Sequence, residues 1–181
     1  MQNTLIRTVL IALALALGLP STGFAQNRWD GWDYKYDREI LPWSEMQGEL
    51  PAYPAESNLI PLNVGASTPH QYFIDAASVS TGNDGVVRYT MVIKTAGGAV
   101  NVSFEGIRCE SYEQKFYAIG RSDRSWVRAR NPQWREISTR QSGIQHATLY
   151  EEFFCKIRTA EPAERIVRAL RRGPQLRQIL D

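Results

Sequence analysis

Few residues in this chain are suited to chemistry. Arg88 and Glu105 stand on either side of a glycine turn in RYTMVIKTAGGAVNVSFEGIRC, residues 88–109, a stretch that otherwise reads as strand. Glu105 held by Arg88 could serve as a general base. An adjacent arginine, however, favours the ionised carboxylate and lowers its pKa, which works against a base poised near neutrality. Two carboxylates assembled in space could cleave a glycan, and Asp75 and Glu110 are the other acids placed to join Glu105 in that role. His70 and His146 lie far apart, with no metal-type spacing to another ligand, and His146 reads as a packed or capping histidine. The chain has no G-x-S-x-G elbow, P-loop, G-x-G-x-x-G, H-E-x-x-H or calcium-loop pattern. No catalytic residue, cofactor or metal site is assigned, and the reading leans away from an enzyme.

The roles of Arg88 and Glu105 depend on the strands that carry them. With Thr95, Ala96, Gly97 and Gly98 as a four-residue loop, Lys94 faces Ala99, and Ile93, Met91 and Tyr89 face Val100, Val102 and Phe104. The reverse face then pairs Val92 with Asn101, Thr90 with Ser103, and Arg88 with Glu105. A slip of one residue would set Tyr89 opposite Glu105 and Met91 opposite Ser103, so apolar burial on one face favours the first register. The expectation is a structural ion pair between Arg88 and Glu105. Gly106 reads as a bulge that turns Ile107 and Cys109 to the apolar face.

The remaining elements follow from pattern. Short β-branched and aromatic runs begin at Tyr72 (QYFID, ASVS), turn at TGNDG, and resume in QKFYAIG, WVRAR and WREI. Loops this short join antiparallel neighbours. IQHATLYEEFF has helical spacing, and AEPAERIVRALRRG has Pro162 in its first turn, late arginines and a Gly173-Pro174 stop. Its stripe of Ile166, Val167 and Leu170 could continue through Leu176, Ile179 and Leu180. The fold class expected is α+β: a small antiparallel meander with a central hairpin, covered by C-terminal helices and closed by one disulfide.

Residues 1–25 read as a signal peptide, with Arg7, an apolar run too short to span a bilayer, and a cut after Ala25. The protein is expected to be periplasmic or secreted, with no membrane span in the mature chain. Export permits oxidation, and Cys109 and Cys155 allow one internal pairing. Residues 26–57 form an extended arm rich in aromatics and proline. In it, Trp29, Trp32 and Trp43 either stack on a sugar or partner or, as favoured, pack the arm onto its own domain. Residues 58–158 form the α+β domain and 159–181 the C-terminal helix.

The formal net charge is +2, and losing Arg7 lowers it by one, so nucleic acid is not an expected partner. One local charge feature stands out: Arg121, Arg124, Arg128, Arg130, Arg135 and Arg140, interleaved with Trp126 and Trp134 and offset by only Asp123 and Glu136. Arginine beside aromatic residues can hold phosphate, lipid A or an acidic glycan. Solvated arginines guarding a sheet edge are the plainer reading.

The run DGVVRYTMVIKTAGGAVNVSFEGIRC, followed by KFYAIG, Trp126 and FFC, resembles the cryptic neisserial protein-like family of exported bacterial proteins. The likeness runs from PWSEM to FFCKI and fades beyond it. It implies a single-domain envelope protein with no catalytic residues to carry over. The function expected is a non-catalytic binding or structural module for a partner protein or an anionic envelope polymer. The alternative is a small carboxylate-dependent hydrolase acting on envelope glycan or peptide.

Overall fold

A computed structural model describes residues 42–65, 68–140 and 143–173. The signal segment, Trp29, Trp32, Leu176, Ile179 and Leu180 lie outside the described residues. The described residues from Trp43 onward form one compact unit.

The fold is mostly sheet. Strands β1 (Leu59–Leu62), β2 (Gln71–Thr81), β3 (Val86–Lys94), β4 (Val100–Arg108), β5 (Glu113–Gly120) and β6 (Trp126–Arg128) lie side by side in chain order, all antiparallel. Strand β7 (Arg135–Glu136) pairs with the start of β5, so β6 and β7 share its outer edge. Pro61, which cannot donate to a ladder, sits on edge strand β1. A separate two-stranded hairpin, β8 (Cys155–Lys156) and β9 (Thr159–Ala160), leads into the last helix.

The helices cover one face. Helix α1 (Ile144–Thr148) widens into a π-helical turn, Leu149–Phe154, in which Cys155 N–H donates to the carbonyl of Tyr150. Leu149, Phe153 and Phe154 of this turn all face inward. Helix α2 (Ala163–Arg172) starts after Pro162 and stops at Gly173, whose φ of 76° suits glycine. Ile74, Tyr89, Met91 and Ile107 from the sheet meet Leu149, Phe154 and Ile166, all with zero exposure. Each such side chain contributes roughly 1.5–3 kcal/mol by leaving water. The expected disulfide joins Cys109, just past the end of β4, to Cys155, with a Cα–Cα distance of 5.5 Å. Among the described residues no helix is long and apolar enough to cross a membrane.

The arm covers the other face. Residues 43–55 run without regular structure across β3, β4 and β5. Trp126 Nε1 donates to the carbonyl of Pro51 at 2.9 Å, and Tyr53 packs against the Trp126 ring at 5.4 Å. The arm is held at its start by Trp43, whose Nε1 donates to the carbonyl of Asp84 at 2.8 Å. Trp43 also lies edge-on to Trp134 and 3.9 Å beneath the guanidinium of Arg108.

The central hairpin corrects the expected register by one residue. Lys94 faces Val100, Val92 faces Val102, Thr90 faces Phe104, Tyr89 faces Glu105, and Arg88 faces Gly106, around a loop of Thr95–Ala99. The physical reason is that β3 has no wet face: Val86 through Val92 are all buried, odd residues under the helices and even residues under the arm. Burying large side chains on one face therefore cannot choose between the two registers. Gly106 is also not a bulge. It pairs regularly with Arg88 and Lys115, and the extra residue is Tyr117, on β5. Ile107 and Cys109 reach the helix face as the regular alternation from Glu105.

Gly106 has a different task. A Cβ there would come within 2.8 Å of the Tyr117 ring, which lies across the strand at that point. Gly106→Ala should displace that ring and destabilise the fold by about 1–3 kcal/mol, as overpacking does. Urea denaturation measures the loss, and an unchanged midpoint would contradict the packing role.

Candidate functional site

Glu105 and Arg88 lie on opposite faces of the sheet, each in its own buried polar cluster, which corrects the expected ion pair between them. On the helix face, the Glu105 carboxylate is 1% exposed and accepts from Tyr89 Oη at 2.8 Å, from His146 Nε2 at 2.7 Å and from Ser103 Oγ. Burial by itself would raise its pKa. The charge of His146 and the hydrogen bonds from His146, Ser103 and Tyr89 outweigh burial and hold the carboxyl below the usual range. Burial and the neighbouring carboxylate push the Tyr89 hydroxyl well up, which keeps it a donor. The edge of Phe116 closes over the imidazole at 5.8 Å. His146 is thus the packed histidine its position suggested, bonded through Nε2 alone, since Nδ1 has no partner.

On the arm face, the Arg88 guanidinium forks onto Asp84, with Nη2 2.6 Å from Oδ2 and Nη1 3.2 Å from Oδ1. Nη2 also donates to the carbonyl of Met46 at 2.7 Å, while Met46 N–H donates to Asp84 Oδ2 at 2.9 Å. Burial would raise the Asp84 pKa, but the arginine and the backbone donors bring it below its usual value. Beside this clamp, Glu45 accepts from Lys115 Nζ and Tyr117 Oη, each at 2.7 Å, and from Trp134 Nε1 at 3.3 Å. Burial raises the Glu45 pKa and these partners lower it, with a net fall. The β2–β3 turn and the β5 bulge therefore grip the arm through charge-assisted hydrogen bonds.

The acids proposed for hydrolysis do not meet. Glu105 lies under the helices. Asp75 faces the arm side, opposite Thr90, buried at 2% exposure with its pKa raised by burial. Glu110 is exposed in the β4–β5 turn, salt-bridged to Arg108. None of the three lines a described cavity. The cavity of about 490 Å³ beneath the end of α2 is lined by Pro61, Leu62, Tyr72, Phe153 and Leu170 among others, without an acid. Among the described residues no group of three His, Cys, Asp or Glu side chains could hold a metal ion. His70 lies apart, its Nδ1 accepting from Ala96 N–H.

The arginine segment occupies the outer edge of the sheet. Arg121 and Arg124 shape the β5–β6 turn, Arg128 ends β6, Arg130 follows it and Arg135 opens β7. All five, and Arg140, are exposed. Among the described residues none of them forms a salt bridge, whereas Arg88, Lys94, Arg108, Lys115 and Arg165 each do. Asp123 is engaged by Ser125. Trp126 and Trp134 depart from expectation: both are half-buried with their indole N–H groups bonded to the arm, so they position the edge and leave the arginines as its outward chemistry. Among the described residues only the Arg124 guanidinium of this edge keeps an aromatic neighbour, 5.6 Å above the Tyr53 ring.

Sequence reasoning missed Asp84 and Glu45 as partners of the arginine and lysine, because Asp84 reads as a turn residue and Glu45 as part of an unpatterned arm. It also missed Tyr89, Ser103 and His146 around Glu105, a cluster that exists only in the observed register. No curated protein and no solved structure matches the chain. The model of the CNP1-like family matches residues 38–171, which takes in the described part of the arm, the whole sheet and nearly all of α2, beyond the expected limit at FFCKI. By that match the chain belongs to the CNP1-like family.

Proposed function

We propose that this chain is an exported, non-catalytic module that binds an anionic envelope polymer through the arginine edge formed by Arg121, Arg124, Arg128, Arg130 and Arg135. The observation that carries the reading is the division of cations. Those inside the molecule have carboxylate partners, and those on this edge have none among the described residues. Guanidinium groups suit phosphate, sulfate and carboxylate on a polymer because they donate in a planar fork and stay charged at every physiological pH. The pairing of Cys109 with Cys155 supports an oxidising compartment. The hydrolase alternative rested on Glu105, Asp75 and Glu110, and these three lie apart in the fold.

Immobilised dextran sulfate, with uncharged dextran as control, tests the reading. The intact protein should bind the sulfated polymer and release it as salt rises from about 0.05 M to about 0.2 M, because salt screens exposed charges. Replacing Arg121, Arg124, Arg128, Arg130 and Arg135 together with glutamine should weaken binding at least about tenfold with the fold intact, since exposed charges contribute little to stability. Equal binding by that variant, or equal binding to uncharged dextran, would refute it.

A further inference from the structure

We infer that α2 carries a second, separate face for the same anionic polymer, weaker than the first because it offers three guanidiniums against five, so that one molecule bridges two polymer strands. The inference rests on the reading just given and extends it from a binder to a cross-linker. Ile166 and Leu170 fix α2 to the core, which turns Arg168, Arg171 and Arg172 outward, all exposed and without a salt bridge among the described residues. Arg165, one turn earlier, is already tied to Glu161 at 3.0 Å.

Arg171 and Arg172, in the last turn, complement the helix dipole. They also lie three and four residues beyond Arg168, the spacing at which like charges on a helix repel. An external anion shared by the three guanidiniums relieves that repulsion.

The placement makes the face independent of the first. Helix α2 packs on β1, β2 and the π-helical turn, while the arginine edge belongs to β5, β6 and β7. With about 4.8 Å between neighbouring strands, β2 and β6 are on the order of 19 Å apart. That exceeds the ~8 Å over which exposed charges interact at physiological ionic strength, so the two patches act as separate sites. Occupation of one leaves the other open to a second strand.

A sandwich assay reads bridging directly. The intact protein is bound to dextran sulfate on beads, washed, and offered fluorescent dextran sulfate in solution. It should capture the labelled polymer. Replacing Arg168, Arg171 and Arg172 with glutamine should leave binding to the beads within about threefold but cut capture at least about tenfold, because one of two linked sites is gone. Capture by that variant equal to the intact protein, or bead binding by the intact protein with no capture, overturns the bridge while sparing the first site. Failure of the intact protein to bind the beads overturns both readings.

Discussion

Replacing His146 with alanine should destabilise the fold by about 3–5 kcal/mol, the usual result of stripping a partner from a buried charge. Glu105 has no alternative: it is 1% exposed beneath α1, and the remaining donors, Tyr89 and Ser103, are neutral. Without the imidazole, burial dominates and the carboxyl pKa moves above its unfolded value, whereas in the intact protein it lies below. The two cases differ in sign. In the intact protein the Glu105 contribution is complete above an unfolded pKa of about 4.3 and is lost as pH falls through the lower folded value. In the variant, Glu105 is a liability above that range and ceases to be one once protonated. Urea denaturation at pH 7 and again near pH 4 should therefore show the deficit shrinking in acid. His146→Gln should recover part of the loss at pH 7, because an amide N–H can replace Nε2–H and Nδ1 makes no bond to lose. A deficit below about 1 kcal/mol, or one independent of pH, would show that the pair does not support the fold.

The legible part of this molecule was its local grammar. The strands β2 to β5, the two helices with Pro162 and Gly173 at the ends of α2, and the pairing of Cys109 with Cys155 all follow from period, turn chemistry and cysteine number. The register of the central hairpin was not legible, because its selection rule assumes one buried face. Here residues 43–55, which have no periodic signal, bury the second face. Once the arm is in place, a slip that had looked costly becomes the better solution. It sets Val92 beside Val102 and Thr90 beside Phe104 under the arm, and it turns Glu105 inward to meet a histidine 41 residues later in the chain. The arginine edge was legible as a composition, yet the direction of its tryptophans was not: only the positions of Pro51 and Glu45 reveal that Trp126 and Trp134 point inward. Strand β1 escaped notice because Pro61 interrupts a run of four residues that has little pattern of its own.

Arg88 offers the complementary experiment on the other face. Arg88→Met should cost about 3–4 kcal/mol, because Asp84, whose side chain is 1% exposed, would lose its forked partner and keep only the backbone donors Met46 and Val86. Asp84→Asn in the same background should restore part of that loss by removing the stranded charge, and the cycle on these two residues should show a coupling of about 1–3 kcal/mol. A parallel cycle on Arg88 and Glu105 should show almost none, since the sheet separates them and neither touches the other's partners. The arm supplies a second readout. Arg88 binds the carbonyl of Met46 and Asp84 binds its N–H and the Trp43 indole, so loss of the arginine should expose residues 43–55 to proteolysis before the sheet itself unfolds. If the strong coupling fell instead between Arg88 and Glu105, the two charges would have to share a face, and the observed register of the hairpin would be wrong.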